Sequence, residues 1–369
     1  MNNRQIFAAS VGILALATGI LAVRLIWFPP AVTPNRPLPQ THGLKGLNKE
    51  LSGPYTHKNL TVYLIHGQDV QTGKTPLTLQ EALERNLVVV HETQDVDELA
   101  IENVSAKEEV YVQAGDIVKG GKQDRVLAVD LIVPARSGRM PIDSFCVEQG
   151  RWSARGTESS TRFETSVDYA PSKDMKIAAR HSKSQAEVWN GVAVSQEKLS
   201  AATNSNTASN VSRSSLPLTL ENSRVRADSG EYVKALSDIV QGQPDVIGFL
   251  FAINGEINSA DTYGSGALFL KLWPKLLRAS AIEAVAESRH AGSWPQPALA
   301  DIDTFFETSE TAAISNKRTV THRIEMITRE TERSVFFESL DRDNMLHRSY
   351  IMKRNERHTR ASGIRRGLS

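Results

Sequence analysis

The stretch Val246-Ile-Gly-Phe-Leu-Phe-Ala-Ile253, followed by Asn254-Gly255 and Glu256-Ile257, decides the fold. An apolar run is followed by an Asn-Gly pair, which accepts the positive φ angles of a two-residue β-turn. The pattern therefore predicts a β-hairpin. Before it, we expect a helix capped by Ser229 and ending near residue 241. After it, residues 265–287 are typical of a long helix that is interrupted at Pro274.

The chain before this unit is typical of short β-strands. Strands and helices come in separate runs, which favours α+β over a doubly wound parallel sheet. We therefore expect an α+β fold: a mostly antiparallel β first half with short helices, then helix, hairpin and long helix, together with an N-terminal transmembrane helix. The predicted strands cover residues 60–65, 87–90, 99–103, 109–112, 125–133 and 142–148, and a capping box opens a short helix over residues 78–86.

The amino terminus carries an almost uninterrupted apolar run over residues 6–23. A bilayer span needs about 20 apolar residues, and a signal-peptide core has roughly 7–15. We expect residues 1–28 to be a membrane anchor or signal segment that contacts the lipid bilayer through residues 6–28. Arg4 favours a single-pass arrangement with the domain on the extracytoplasmic side. Cleavage near Ala15-Leu-Ala17, which would give a secreted or periplasmic protein, is the alternative.

Composition divides the rest of the chain. A Pro-rich linker is expected at 29–58, and the α+β domain at 59–290 with a mobile Ser- and Asn-rich excursion near 157–222. A β-rich extension at 298–357 and a basic tail at 358–369 complete the prediction. Lysine and arginine number 43 against 42 acidic residues, so the net charge of +1 gives no reason to expect nucleic acid as a partner.

Two polar segments lie in otherwise apolar strand surroundings: Gly120-Gly121-Lys122-Gln123-Asp124-Arg125 and Cys146-Val147-Glu148-Gln149-Gly150-Arg151-Trp152. A hairpin with its turn at Ser137-Gly138 would pair Arg125 with Gly150. Cross-strand partners share a face. This register would gather Arg125, Glu148, Gln123 and Trp152 on one face, with Lys122, Asp124 and Arg151 on the other.

These residue types suit a nucleotide-like ligand. Guanidinium groups bind phosphate, an amide can bind a ribose hydroxyl, and an indole can stack on a base. A glycine pair lets backbone amides approach an anion. The predicted ligand-binding set is Gly120, Gly121, Lys122, Gln123, Arg125, Glu148, Arg151 and Trp152. The alternative is a structural Arg125–Glu148 ion pair beside glycines that only turn the chain.

Other reactive groups give weaker signals. Glu148 is the candidate catalytic residue, because a buried carboxyl can act as an acid or base. Cys146 lies mid-strand and is typical of a buried small hydrophobe. The nine histidines show no metal-site spacing, so no metal site is predicted. The sequence does not identify a cofactor.

Together these motifs resemble the ADP-ribosylglycohydrolase- and rhodanese-phosphatase-superfamily-associated protein family, a domain of unknown function. The resemblance implies a link with ADP-ribose and NAD metabolism and no particular reaction. Family members more often read Gly-Ala-Lys-Gln-Asn-Arg where this chain has Gly121 and Asp124, and the added carboxylate weakens phosphate binding. The shared motifs lie within residues 60–287 and include Gly-Gly-Lys-Gln-Asp-Arg, Cys-Val-Glu-Gln-Gly-Arg-Trp, Gln185-Ala-Glu-Val-Trp189 and Leu272-Trp-Pro-Lys-Leu-Leu277.

Three functions remain open at this stage. The first is a membrane-anchored domain that binds a nucleotide or ADP-ribose-like ligand in NAD- and ADP-ribose-linked metabolism. The second is a structural or partner-binding module at the membrane. The third is a hydrolase that acts on an ADP-ribose-like substrate, with Glu148 as acid or base.

Overall fold

The computed structural model describes residues 41–44, 49–93, 95, 97–151, 163–243, 245–288, 292 and 294–354. In chain order the strands are β1 (Thr41–Gly43), β2 (Glu50–His57), β3 (Leu60–His66), β4 (Leu77–Thr78), β5 (Val88–Glu92), β6 (Glu98–Asn103), β7 (Val110–Val112), β8 (Asp116–Gly120), β9 (Arg125–Leu127), β10 (Leu131–Val133), β11 (Arg139–Cys146), β12 (Phe163–Tyr169), β13 (Val246–Ile253), β14 (Glu256–Tyr263), β15 (Ile314–Thr319), β16 (Ile324–Glu330), β17 (Ser334–Asp341) and β18 (Asn344–Met352). The helices are α1 (Leu79–Glu84), α2 (Lys173–Ile177), α3 (Gln185–Ala202), α4 (Leu216–Leu220), α5 (Ser223–Leu236), α6 (Gly266–Ala286) and α7 (Leu299–Thr311), with a π-helical segment at Ala178–Ser182 and a 3-10 turn at Ser237–Val240.

The largest sheet has nine strands in the order β1-β2-β3-β13-β14-β18-β17-β16-β15. Its centre is the predicted hairpin, in which Asn254 and Gly255 take φ angles of 53° and 81° between β13 and β14. All eight residues of β13 are buried, because the strand has a sheet neighbour on each side and the helix α6 packs on it. Because both faces of this strand are buried, its sequence is a continuous apolar run instead of an alternating one.

Two smaller sheets complete the β structure. One contains β12-β8-β9-β11-β6-β5, and its neighbouring strands are antiparallel. The other contains β10-β7-β4, in which β4 and β7 are parallel. The polar segments of interest lie at one end of the six-stranded sheet, because β8, β9 and β11 end or begin at Gly120, Arg125 and Cys146.

The helices beside the hairpin differ in detail from the prediction. Helix α5 is capped by Asn222, and Ser229 lies inside it with its hydroxyl donating to the Val225 carbonyl. Helix α6 continues through Pro274 to Ala286. A proline within a helix removes one backbone donor without ending the helix when tertiary packing holds both sides.

The register predicted for the polar segments is wrong. Arg125 pairs with Cys146 rather than Gly150, and Leu127 pairs with Ser144. The reason is that the predicted single strand over residues 125–133 is two strands in different sheets. Strand β9 pairs with β8 and β11, whereas β10 pairs with β7.

The predicted domain boundaries stay a prediction, but the structure shows where their segments lie. Strand β2 falls in the predicted linker and pairs with β3. The predicted excursion contains α2, α3 and α4. Strand β18 of the predicted extension pairs with β14 of the hairpin. The nine-stranded sheet therefore contains strands from the predicted linker, domain and extension.

The fold class and location predicted from the sequence included an N-terminal transmembrane helix, and this element is corrected. None of the helices that the structure describes is long and apolar enough to cross a membrane. The longest, α6, carries Lys271, Lys275, Arg278 and Glu283. Residues 1–28 lie outside the described residues. The transmembrane anchor and the single-pass location are therefore not maintained, and bilayer contact through residues 6–28 stays a prediction. Secretion after cleavage stays a prediction.

Candidate functional site

The glycine loop, which we define as residues 120–124, is the turn between β8 and β9. Gly120 and Gly121 have φ angles of 117° and 56°, which favour glycine. The Asp124 carboxylate accepts from the Gly120 amide at 2.9 Å, and the Glu92 carboxylate accepts from the Lys122 amide at 2.6 Å. Two amides that the sequence analysis assigned to a bound anion thus bind carboxylates of the chain itself.

Hydrogen bonds of Arg151 link the glycine loop to the chain segment after β11. Its Nε donates to Oε2 of Glu148 at 2.6 Å, and its Nη1 and Nη2 donate to the Gly121 and Gly120 carbonyls at 3.0 and 3.2 Å. Nη2 also lies 3.5 Å from Oδ1 of Asp124. The Arg151 side chain is 9% exposed, and those of Asp124 and Glu148 are fully buried. Buried charges of this kind persist only when they are paired and hydrogen-bonded.

Arg125 and Gln123 form a second, separate pair below the loop. Nη1 of Arg125 donates to the backbone and side-chain oxygens of Gln123, both at 3.3 Å. The nearest carboxylate oxygen to its guanidinium is that of Glu92, 3.7 Å from Nη2. Arg125 and Gln123 are each 1% exposed. Nε of Arg125 and Nε2 of Gln123 have no hydrogen-bond acceptor among the described residues.

The segment before and within α4 forms a wall of the site. Ser215 donates to Oδ2 of Asp124 at 2.9 Å, and Ser214 exchanges two hydrogen bonds with the backbone of Gln149. Lys119 of β8 pairs with Glu221 at 2.8 Å. The sequence analysis missed these contacts, because serines in a Ser- and Asn-rich stretch resemble surface loop.

The structure therefore brings together most of the predicted site. Gly120, Gly121, Gln123, Arg125, Glu148 and Arg151 share one buried cluster, and Lys122 is exposed at its edge. Trp152 lies outside the described residues. The predicted neighbours Arg125 and Glu148 are assigned to different partners, Glu92 and Arg151. Oε2 of the candidate catalytic Glu148 receives Nε of Arg151 and, at 3.4 Å, the amide of Asp124.

Cys146 fits its prediction as a buried small residue. It is 2% exposed, and burial raises the pKa of its thiol, an effect that the Arg125 charge opposes. Its backbone makes two 2.8 Å hydrogen bonds with the side-chain amide of Gln185, which links β11 to the first turn of α3. No group of three metal-ligating side chains occurs within the described ranges.

A buried ionic cluster around Asp130 was missed by the sequence analysis. Oδ2 of Asp130 lies 3.0 Å from Nδ1 of His347, and it accepts from Arg180 at 3.1 Å and Ser339 at 2.6 Å. Nε2 of His347 lies 3.1 Å from Oδ1 of Asp261. Arg180 belongs to the π-helical segment, a geometry that is frequent at functional sites. The available signal was Asp130 itself, a lone charge in the run Leu127-Ala-Val-Asp-Leu-Ile-Val133.

The charged groups of this cluster shift each other's pKa towards the ionised form. Burial alone would raise the pKa of Asp130, but His347 and Arg180 hold it well below its usual value. Burial would lower the pKa of His347, but Asp130 and Asp261 raise it above its usual value. The cluster therefore places the His347 imidazole between two carboxylates in the core, where β14, β17 and β18 contact the loop after β9.

The comparison with protein families shows to which family the chain belongs. The model of the ARG and Rhodanese-Phosphatase-superfamily-associated Protein domain matches residues 48–351. The chain belongs to this family. The family name associates it with ADP-ribosylglycohydrolase and rhodanese-phosphatase superfamilies. No curated protein and no solved structure matches the chain.

Family membership extends further along the chain than the sequence motifs indicated. The resemblance was drawn from residues 60–287, whereas the matched range also includes all of β2 and nearly all of β18. The C-terminal strands therefore belong to the ARG and Rhodanese-Phosphatase-superfamily-associated Protein domain. His347 lies within the matched range, as do both polar segments.

Proposed function

We propose that this domain binds a nucleotide or ADP-ribose-like ligand in NAD- and ADP-ribose-linked metabolism, and that Arg125 and Gln123 donate hydrogen bonds to it. The observation that carries the proposal is the pair of buried, unmatched donors, Nε of Arg125 and Nε2 of Gln123. A buried donor without an acceptor costs about 1–3 kcal/mol, so a folded protein rarely retains two neighbouring ones without a use.

The chemistry of the missing acceptor follows from the donors. Arg125 is hydrogen-bonded to neutral oxygens of Gln123, and its nearest carboxylate oxygen, on Glu92, lies beyond hydrogen-bond distance at 3.7 Å. A phosphate oxygen would give the Arg125 guanidinium an anionic acceptor, because hydrogen bonds between ionised groups are stronger than those between neutral groups. The amide of Gln123 suits a ribose hydroxyl or a second phosphate oxygen.

We place the approach of the ligand to Arg125 beside Glu92. The Glu92 carboxylate contacts both the Arg125 guanidinium and the Lys122 amide, and its side chain is 13% exposed. The exposed Lys122 ammonium has no ion-pair partner within the described residues and adds positive charge at this edge. Because Glu92, Asp124 and Glu148 place three carboxylates in the neighbourhood, we expect modest affinity rather than tight phosphate binding.

The test is calorimetric titration of the full-length protein with ADP-ribose, AMP and ribose. Arg125→Lys keeps the charge but removes the Nε donor and the planar fork. We expect saturable binding of ADP-ribose that weakens about 10-fold or more in Arg125→Lys and in Gln123→Leu. Arg139→Lys, at a side chain that is 67% exposed, is the matched control and should bind like the parent. Absence of heat at millimolar ligand, or unchanged affinity in both site variants, contradicts the proposal.

A further inference from the structure

A cleft of about 310 Å³ lies between α2, α3 and α6 and shares no lining residue with the glycine loop. Its volume is at the lower end of the range for small-molecule pockets, which is about 300–1,000 Å³. The apolar part of its wall is formed by Ala178, Val194, Leu199, Ile282 and Ala286. This surface fits a small ligand with an apolar body.

The charges around the cleft leave an excess of carboxylates. Arg354 lies 2.5 Å from Asp174 and 3.2 Å from Glu287, and Lys198 also pairs with Glu287. These two cations and two carboxylates balance. Glu187 and Glu283 also line the cleft, and neither has a direct ion-pair partner within the described residues. The charges of Lys173 and Lys176 act on Glu283, but neither lysine lines the cleft.

Glu283 differs from the other carboxylates because it is 4% exposed and lines the cleft from α6. One of its oxygens accepts from the Lys173 amide at 3.0 Å. Burial raises the pKa of Glu283, and the charge of Lys176 opposes this effect. A cation in the cleft would favour its ionised form, so a positive ligand and this carboxyl stabilise each other.

We infer that the cleft binds a small organic cation, an amine or amidine with an apolar body, and that Glu283 is the acceptor of its N–H group. The apolar wall removes the body of the ligand from water, and Glu187 and Glu283, the two lining carboxylates without a direct ion pair, select its positive charge. An anionic ligand of similar shape meets the same wall but is repelled by Glu187 and Glu283. Charge therefore decides which molecules of this size bind.

Three probes of similar shape separate charge from apolar contact: benzylamine, benzyl alcohol and benzoate. Each is titrated into the full-length protein and followed by NMR line shifts and calorimetry. We expect saturable benzylamine binding, at least about 10-fold weaker binding of benzyl alcohol, and no saturable binding of benzoate. Equal binding of the three probes, or no saturable benzylamine binding, overturns the inference.

Glu283→Gln keeps the shape of the side chain and removes its charge. It should weaken benzylamine binding about 10-fold or more and leave benzyl alcohol unchanged, while Glu84→Gln on α1 is the matched control. Unchanged benzylamine affinity in a folded Glu283→Gln protein overturns the inference. Val194→Trp, which fills part of the cleft and keeps the Glu283 carboxyl, should abolish binding of both probes. Because ADP-ribose binding is assigned to Arg125 and Gln123, it should persist in both cleft variants, so each proposal fails on its own measurements.

Discussion

Arg151 donates through Nε to Oε2 of Glu148 across 2.6 Å, and neither side chain is more than 9% exposed. This ion pair joins the glycine loop to the chain after β11, because the same guanidinium also binds the Gly120 and Gly121 carbonyls. The polar cluster therefore has two parts. Arg151 and Glu148 hold the glycine loop in place, whereas Arg125 and Gln123 retain donors without an acceptor. The binding proposal rests on the second part.

Removal of Arg151 should destabilise the domain. Breaking a buried ion pair leaves a buried charge less compensated, which typically costs about 3–5 kcal/mol. We expect Arg151→Ala to lower the free energy of unfolding by about that amount in urea denaturation. Arg139→Ala, whose ion pair with Glu102 is 3.9 Å long and exposed, should cost no more than about 1 kcal/mol. Similar costs for the two variants would contradict a structural role for Arg151.

Glu92→Gln should strengthen ADP-ribose binding. Glu92 lies 3.7 Å from the Arg125 guanidinium, so it competes with a phosphate for the same charge. Glutamine keeps an oxygen for the Lys122 amide and removes the negative charge. We expect about a 3- to 10-fold lower dissociation constant by calorimetry, with affinity that falls more steeply as salt is added, because Glu92 no longer offsets the attraction between Arg125 and the phosphate. Weaker binding in this variant would place the ligand away from Glu92.

Gly121→Ala should destabilise the glycine loop. Gly121 has a φ angle of 56°, and a Cβ atom there would fall on the Phe163 ring and the Glu92 carboxylate. The left-handed conformation alone costs about 1–2 kcal/mol for alanine. We expect a loss of at least that size in the free energy of unfolding. Gly138→Ala, with a φ angle of 63° and open space around it, is the control for the backbone effect alone.

The buried His347 should make stability depend on pH. Its folded pKa lies above the unfolded value of about 6.5, so its contribution is complete below that value and is lost as pH rises through the folded pKa. We expect the imidazole of His347 to titrate above pH 6.5 by NMR. The difference in unfolding free energy between the parent and His347→Gln should shrink as pH rises from 6 towards 9. An imidazole that is neutral at pH 6 would contradict this.

Local sequence patterns predicted the parts of the fold that depend on local physics. The Asn254-Gly255 turn and the capping box of Thr78 and Glu81 are both present, because turn conformation and helix capping are set by neighbouring residues. Strand partners were harder to predict. The sequence pattern from Arg125 to Val133 predicts one strand. Only the tertiary contacts show that β9 and β10 belong to different sheets.

The residue types of the site were predicted better than their pairing. Six of the eight proposed residues gather in one cluster, since they flank the ends of neighbouring strands. Their partners were missed because Glu92 and Ser215 are distant in sequence and carry no local signal. The Asp130, His347 and Asp261 cluster was missed for the same reason, since its members lie on separate elements 86 and 217 residues apart.

The most direct test of the central claim is the ¹⁵N resonance of Arg125 Nε, followed in the full-length protein during titration with ADP-ribose. Arg125→Lys assigns the resonance by its absence. The account predicts a saturable shift of this signal, with slowed hydrogen exchange as the Nε proton gains an acceptor, at the same ligand concentration that produces heat by calorimetry. Saturable binding of ADP-ribose that leaves the Arg125 Nε signal unchanged would contradict it.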